Sequence, residues 1–206
     1  MINYKSYRIK FQKTGLAKYI SHLDLNRLLS RALARAGVEA AHSEGFNPRP
    51  KITFASAVSL GVESLCEFVD IKTYETETQI FEKIKNAFPQ GINILEVYEP
   101  ENAFKYIDRT RYNIFLKSSG FGPGGLDKLF EGDISVEKKP GIIINLKDYI
   151  CELVISEEMI DVVLKTNLEM FLNPENIIKA VSLKYAVDDY FIKKVEVYHK
   201  NNTVFK

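Results

Sequence analysis

The spacing of apolar and polar residues predicts alternating strands and helices at the start of the chain. Residues 5–12 (KSYRIKFQ) place Tyr7, Ile9 and Phe11 on one side and basic residues on the other, which is typical of a half-buried strand. The segment that follows repeats leucine and alanine at helical spacing. It predicts a helix at 21–36.

The ends of this helix are also marked in the sequence. Ser21 is a good N-cap, and Asp24 three residues later resembles the acidic member of a capping box. Gly37 is expected to end the helix. One face is apolar and is expected to be buried: Leu25, Leu28, Leu29, Ala32, Leu33 and Ala36.

The next sixty residues complete a recognisable order of elements. A loop at 38–50 is followed by two predicted strands, a helix and a strand, at 51–58, 65–74, 76–88 and 91–99. Together with the first strand and helix, the order is β-α-β-β-α-β. This order predicts an α+β fold, with a ferredoxin-like unit whose four strands form an antiparallel sheet.

The second half mixes strands and helices in a less regular order. The polar segment 99–106 carries Pro100 and separates a basic ferredoxin-like domain at 1–100 from a second α+β domain at 104–206. Two helices are predicted, a short one after the glycines of 120–125 and one that begins at Asn173-Pro174. This half is compatible with a second ferredoxin-like unit. Its predicted strands are 109–117, 141–146, 149–156, 159–166 and 189–198, the third and fourth joined around Glu157 and Glu158.

Composition excludes several classes of protein. The chain has 206 residues, 46% of them hydrophobic and 27% charged, as in a globular protein. No apolar run is long enough to span a membrane, and the N-terminal residues lack the apolar core of a signal peptide, so we expect a cytoplasmic protein without a membrane partner. Cys66 and Cys151 lie far apart and are expected to be reduced thiols. No metal-ligand set is evident, and we expect no metal or other cofactor in this chain.

Charge is distributed unevenly along the sequence. Residues 1–60 contain ten Lys or Arg and only three Asp or Glu, whereas the remainder contains 18 basic and 24 acidic residues. A basic first third on a nearly neutral protein indicates a local site for an anion, with nucleic acid as the largest candidate class. The alternative is a solvated face with an acidic partner elsewhere in the fold.

Three arginines recur on the predicted helix and are named here the arginine stripe: Arg27, Arg31 and Arg35. A spacing of four residues puts them on one side of the helix at intervals of about 6 Å, close to the distance between successive phosphates. The stripe is therefore a candidate phosphate site. The alternative is an ordinary solvated face that Asp24 partly neutralises.

The loop 42–51 (HSEGFNPRPK), named here the basic loop, is a second candidate site. Arg49 and Lys51 supply positive charge, Phe46 offers a flat face and Asn47 can bond a base edge. We expect the loop to lie near the arginine stripe. In the alternative interpretation Phe46 fills the core and Asn47-Pro48 makes a turn.

Two further pairs of titratable residues bear on the question of catalysis. His22 and His42 are candidates for a general acid and base, although each is also compatible with a packing role. Glu67 and Asp70 are separated by an odd spacing and are expected on opposite faces of a strand, which argues against a paired-carboxylate site. We expect one of them to pair with the arginine stripe.

The motifs from Ser-His-Leu-Asp to the acidic strand resemble those of a bacterial family, the radical-SAM-linked domain of unknown function. They are found at Ser21–Asp24, the arginine stripe, Gly45–Pro48, Gly61–Ser64 and Glu67/Asp70. The resemblance is specific over 7–72. It implies a chain that is encoded beside, or fused to, a radical SAM protein. This chain has no CxxxCxxC cluster motif, so the resemblance implies that a radical SAM protein is its partner.

Two functions follow as hypotheses. In the first, the chain is a non-catalytic accessory module that presents an anionic substrate, RNA or a ribosome-linked target, to a separate radical SAM enzyme. In the second, it is a small RNA-processing enzyme similar to the repeat-RNA endonucleases of CRISPR systems, with His22 or His42 as general acid or base. A pure protein-interaction subunit, with the arginines bound to an acidic protein surface, is a third interpretation. The absence of a catalytic motif favours the first.

Overall fold

The fold was analysed in a computed structural model that describes residues 4–56, 58–117, 125–156 and 159–206. The chain divides into two compact units, one running to Phe104, which also includes Lys206, and one spanning Lys105–Phe205. Both contain strands and helices, and the fold class is α+β, as the sequence predicts. In the part of the chain that the structure describes, no helix is long and apolar enough to cross a membrane.

The first unit has the predicted β-α-β-β-α-β order. Its elements are β1 (Lys5–Lys13), α1 (His22–Arg35), β2 (Ile52–Phe54), β3 (Glu63–Thr73), α2 (Glu77–Ile84) and β4 (Ile92–Tyr98). The strands lie in the order β4-β1-β3-β2, and every neighbouring pair is antiparallel. This is the ferredoxin-like arrangement.

Helix α1 packs its apolar face on the sheet, as the sequence predicts. Leu29 and Leu33 are at most 1% exposed, and both belong to a core cluster that includes Ile9 and Phe11 of β1 and Ile80 of α2. Strand alternation explains the choice of face, because Ile9 and Phe11 point to the same side of the sheet. Both helices therefore cover one face of the sheet.

The end of α1 is fixed by backbone geometry. Gly37 has a φ of 68°, a left-handed conformation that other residues rarely adopt. The Gly37 amide donates to the Ala34 carbonyl at 3.1 Å, and the Val38 amide donates to the Leu33 carbonyl at 3.0 Å. These are the two bonds of a Schellman motif, and they satisfy carbonyls that the helix end would otherwise leave without partners.

The second unit has the same strand order as the first, with a hairpin inserted. Its sheet runs β10-β5-β9-β8 with antiparallel pairs, and α3 and α4 occupy the positions that correspond to α1 and α2. The inserted hairpin pairs β6 with β7. The elements are β5 (Ile107–Lys117), α3 (Gly125–Glu131), β6 (Ser135–Lys139), β7 (Ile142–Asn145), β8 (Ile150–Ile155), β9 (Met159–Lys165), α4 (Glu175–Ser182) and β10 (Asp189–His199).

Some predicted elements differ from the observed ones. Strand β6 is absent from the predicted elements, because only one of its residues, Val136, is apolar. The pairing of β6 with β7 defines it as a strand. The predicted strand at 51–58 is shorter, since β2 is limited to Ile52–Phe54. Of the predicted glycine-rich turn, residues 120–124 lie outside the described residues, as do Glu157 and Glu158.

Helix α2 also ends earlier than predicted, at Ile84. The Ala87 amide donates to the Ile84 carbonyl at 2.9 Å, so the chain tightens before Pro89. Pro89 disfavours the helical conformation at Phe88, which argues against a helix that runs through to residue 88. Ala87 and Phe88 form bends, and together with Pro89 they connect the end of α2 to β4.

The packing of α1 leads to the first test. Leu29→Ala is expected to lower the free energy of unfolding by about 2–5 kcal/mol, because it leaves a cavity at a fully buried position. Leu23→Ala is the matched control on the same helix, since Leu23 is 60% exposed and its truncation should change stability by less than about 0.5 kcal/mol. Urea denaturation followed by circular dichroism measures both. Equal losses would contradict the packing described here.

Candidate functional site

The arginine stripe lies on the exposed face of α1, opposite the buried leucines. Its three members are held differently. Arg27 Nη1 donates to Asp24 Oδ1 at 3.0 Å, and Arg35 Nη2 donates to the Ala87 carbonyl at 3.0 Å. Arg31, between them, forms no hydrogen bond or ion pair with the described residues. Arg31 is thus the member whose guanidinium is available to a ligand without loss of an existing bond.

Ser21 and Asp24 organise the N-terminal end of α1. Ser21 Oγ accepts a hydrogen bond from the Asp24 amide at 3.2 Å, as an N-cap does, and its hydroxyl donates to Asp24 Oδ2 at 2.7 Å. The hydrogen bond from Ser21, followed by the one from Arg27, lowers the pKa of Asp24 from its ordinary value. Asp24 is therefore ionised at neutral pH and keeps both bonds.

An open groove of about 600 Å³ runs beside the stripe, and we name it the α1 groove. Leu28 was predicted for the buried face but is half-buried at the edge of the groove, because it lies close to the arginines around the helix. The groove is lined by Asp24, Arg27, Leu28, Arg31, Arg35, Ala87, Phe88 and Pro89. All three arginines therefore contribute to a single concave surface.

The second side of the groove is the segment Ala87–Pro89, which is not among the residues predicted for the site. The early end of α2 leaves the Ala87 carbonyl outside the helix, where Arg35 binds it. Phe88 is half-buried, packs against the core and also lines the groove. The available sequence signal was a Phe-Pro pair shortly after the amphipathic helix α2, but only the tertiary structure brings it next to α1.

Hydrogen bonds between Ser43 and Arg49 close the base of the basic loop. The Ser43 amide donates to the Arg49 carbonyl at 2.8 Å, and the Arg49 amide donates to Ser43 Oγ at 3.1 Å. Gly45 has a φ of 121°, which favours glycine at this turn. Phe46 is fully exposed, so the alternative in which it fills the core is wrong.

The other candidate residues of the basic loop are exposed as well, namely Asn47, Arg49 and Lys51. Together with Phe46, they place positive charge and an aromatic ring in solvent, as an anion-binding loop would. No residue of 42–51 is among those that line the α1 groove. The side of the groove that we expected from this loop is instead supplied by Ala87–Pro89.

The two candidate catalytic histidines are both exposed. His22 is the first residue of α1, and its ring contacts Phe54 edge-to-face with centroids 5.0 Å apart, which is a packing role. His42 lies at the base of the basic loop, where its backbone bridges to Pro50. Within the described ranges, neither imidazole is hydrogen-bonded to a second titratable group.

The acidic, histidine and cysteine side chains of the described residues do not form a metal site. No three His, Cys, Asp or Glu side chains in this part of the chain come together as a metal site requires. Cys66 is buried and Cys151 is half-buried, and both are free thiols. Burial raises the pKa of the Cys151 thiol, which disfavours its reactive thiolate form.

We expected one of Glu67 and Asp70 to pair with the arginine stripe, and Asp70 does not. Asp70 binds Arg8 of β1 in a bidentate pair, with Nε–Oδ1 at 2.7 Å and Nη2–Oδ2 at 2.8 Å. Arg8 and Asp70 are direct neighbours across the two strands, and the Arg8 side chain is fully buried under the ring of Phe104, 4.2 Å from its centroid. Cross-strand register decided this partner, and sequence spacing does not show it.

The other carboxylate of that pair, Glu67, is buried and faces the helix-covered side of the sheet. It lies opposite Phe11 of β1, whereas Asp70 lies opposite Arg8. The two carboxylates are therefore on opposite faces of β3, as their spacing predicts.

Comparison with known families assigns the chain to one of them. Residues 6–179 match a family described as an uncharacterised protein conserved in bacteria (DUF2344), and the chain belongs to that family. The family description carries no link to radical SAM proteins, so that part of the resemblance stays a prediction. No curated protein matches the chain.

The Arg8–Asp70 pair gives the second test. Asp70→Asn is expected to lower the free energy of unfolding by about 3 kcal/mol, because it removes the carboxylate that forms a bidentate pair with the buried Arg8. The matched control is Glu99→Gln, which breaks the exposed Lys5–Glu99 pair and should leave stability unchanged within error. Urea unfolding at neutral pH measures both variants. A stable Asp70→Asn protein would show that the buried pair does not hold β1 against β3.

Proposed function

We propose that this chain is an accessory module that holds an anionic substrate, RNA or a ribosome-linked target, for a separate radical SAM enzyme. The observation that carries the binding role is the α1 groove, in which three guanidiniums share one concave surface. The partnership rests on the sequence resemblance and on the missing cluster motif. Co-expression with the neighbouring radical SAM protein, followed by co-purification, tests it, and separate elution of the two proteins would count against it.

The chemistry of the α1 groove favours nucleic acid among anions. Guanidiniums donate paired hydrogen bonds to phosphate oxygens, and members of the stripe are about one helical turn apart. Phe88, on the opposite side of the groove, offers an aromatic ring of the kind on which an unpaired base stacks. A line of cations beside an aromatic surface is typical of single-strand binding rather than of binding one small anion.

The basic loop is proposed as a second contact for the same strand. Phe46 is exposed and Arg49 and Lys51 follow it within five residues, so stacking and phosphate contacts are available together. The two prolines limit the conformations of the free loop, which reduces the entropy that binding must remove. This loop would extend the site beyond the α1 groove.

The alternative function, an RNA-processing enzyme with His22 or His42 as general acid or base, makes a different prediction. It requires that the protein cleaves bound RNA and that this cleavage is lost in a His22→Ala or His42→Ala variant. Intact RNA after prolonged incubation with the protein favours the binding module.

The role of the arginine stripe is tested by Arg31→Ala. We expect weaker binding of single-stranded RNA and a slope of log affinity against log salt that is smaller by about 0.7, the contribution of one phosphate contact to a single strand. Stability should not change, because Arg31 is exposed and forms no bond with the described residues. Fluorescence anisotropy with 5′-labelled RNA over a series of KCl concentrations measures the affinity and the slope.

The control for Arg31→Ala is Lys128→Ala. Lys128 is an exposed cation on α3 and is outside both the α1 groove and the basic loop, so its removal changes net charge equally. If both variants lose the same affinity, general charge and not the groove is responsible. If Arg31→Ala leaves affinity and slope unchanged, the stripe is only a solvated face.

The role of the basic loop is tested by Phe46→Ala. Loss of a stacked base should weaken RNA binding by about 1–3 kcal/mol. The melting temperature should stay the same, because the ring is fully exposed. A variant with unchanged affinity would remove the loop from the proposed site.

A further inference from the structure

The α1 groove is polarised along its length. Asp24 lies near the start of α1, while Arg31 and Arg35 lie toward its end. At 100° per residue, these three positions fall within about 40° of one another around the helix, and about 16 Å separates the first from the last along its axis. One continuous strip of the groove therefore runs from the Asp24 carboxylate, which is paired with Arg27, to the guanidiniums of Arg31 and Arg35.

The Asp24 end of the groove disfavours a phosphate of a nucleic-acid backbone. A strand that passed through the whole groove would place a phosphate against Asp24, whose carboxylate is ionised at neutral pH. Two like charges at contact repel even in a solvated groove, and the ion pair of Asp24 with Arg27 offsets part of this repulsion. A strand that stops at Asp24 avoids this repulsion, provided that its last group is uncharged.

The bonds that Asp24 already makes indicate what that last group is. Each carboxylate oxygen accepts one hydrogen bond, Oδ1 from Arg27 and Oδ2 from Ser21. A carboxylate has about four acceptor positions, so about one remains on each oxygen. The 2′ and 3′ hydroxyls of a terminal ribose are two adjacent donors that match two adjacent acceptors. The free hydroxyl of a 5′ end has no such neighbour, because the 2′ and 5′ hydroxyls of a ribose are not adjacent.

We propose that the α1 groove binds the 3′-hydroxyl end of a single RNA strand. The terminal ribose would donate to Asp24, the phosphates that precede it would bind Arg31 and Arg35, and a base would stack on Phe88. This inference rests on the proposed function and adds which part of the RNA is recognised and in which direction the strand enters. Asp24 selects the terminus by accepting hydroxyl donors and repelling phosphate.

The test compares two RNAs of the same sequence, labelled at the 5′ end, one with a 3′ hydroxyl and one with a 3′ phosphate. The protein should bind the 3′-hydroxyl RNA about fivefold more tightly, because a terminal phosphate is repelled by Asp24 and the repulsion is reduced by Arg27 and by salt screening. This comparison uses the unmodified chain and does not depend on any variant folding. Equal affinity for both ends, or preference for the phosphate, would overturn the inference.

Asp24→Asn assigns the selectivity to this carboxylate. The variant keeps the shape of the side chain but removes its charge, so the two RNAs should bind with nearly equal affinity, mainly through a gain for the 3′-phosphate RNA. The matched control is Glu82→Gln, which removes an exposed acid of α2 that does not line the groove and should keep the fivefold preference. Persistence of the preference in Asp24→Asn would also overturn the inference.

The two proposals fail in different ways. If neither RNA binds, the proposed RNA-binding function fails and the terminus is irrelevant. If RNA binds and Arg31→Ala weakens it, but the 3′ group makes no difference, only the selection of the terminus is wrong.

Discussion

The burial of one face of α1 against the sheet is the constraint on which the candidate site depends. Leu25, Leu29 and Leu33 are fixed in the core with β1, so the helix cannot rotate about its axis without exposing them. Burying a leucine side chain contributes about 1.5–3 kcal/mol relative to leaving it in water. The orientation of the arginine stripe follows, because its members occupy the opposite side of the same helix. The Schellman motif at Gly37 then fixes where the stripe ends.

Charge in the first unit serves two different purposes. Arg8 and Lys13 are buried, so part of the basic excess of the first sixty residues is not available on the surface. Arg8 instead joins β1 to β3 through Asp70, beneath Phe104. The remaining exposed cations include the arginine stripe and the basic loop. A count of basic residues therefore overstated the surface charge, whereas the position of the site on α1 was derived from helical spacing.

The α1 groove differs from a generally basic surface in the way its groups are held. Arg27 is paired with Asp24 and Arg35 is bonded to the Ala87 carbonyl, so both guanidiniums are oriented before a ligand arrives. Pre-orientation lowers the entropy lost on binding. Arg31 lies between them without a bond to the described residues, and Phe88 adds an apolar surface. The match over 6–179 shows that the chain belongs to a family conserved in bacteria. The α1 groove provides a specific chemical hypothesis for the function of this chain.

The sequence by itself determined the features that depend on neighbours along the chain. The span of α1, its cap at Ser21, its end at Gly37 and the β-α-β-β-α-β order follow from periodicity and from residues with special backbone preferences, and these act over a few positions. The tertiary structure alone decided the features that depend on residues far apart in sequence. The pairing of Arg8 with Asp70 required the register of β1 on β3, and the approach of Ala87–Pro89 to Arg35 required α2 to pack beside α1 and to end at Ile84. The hairpin strand β6 is defined by its partner β7, since its own residues are mostly polar. Local propensity contains no information about such contacts, because their energy comes from packing and pairing between distant segments.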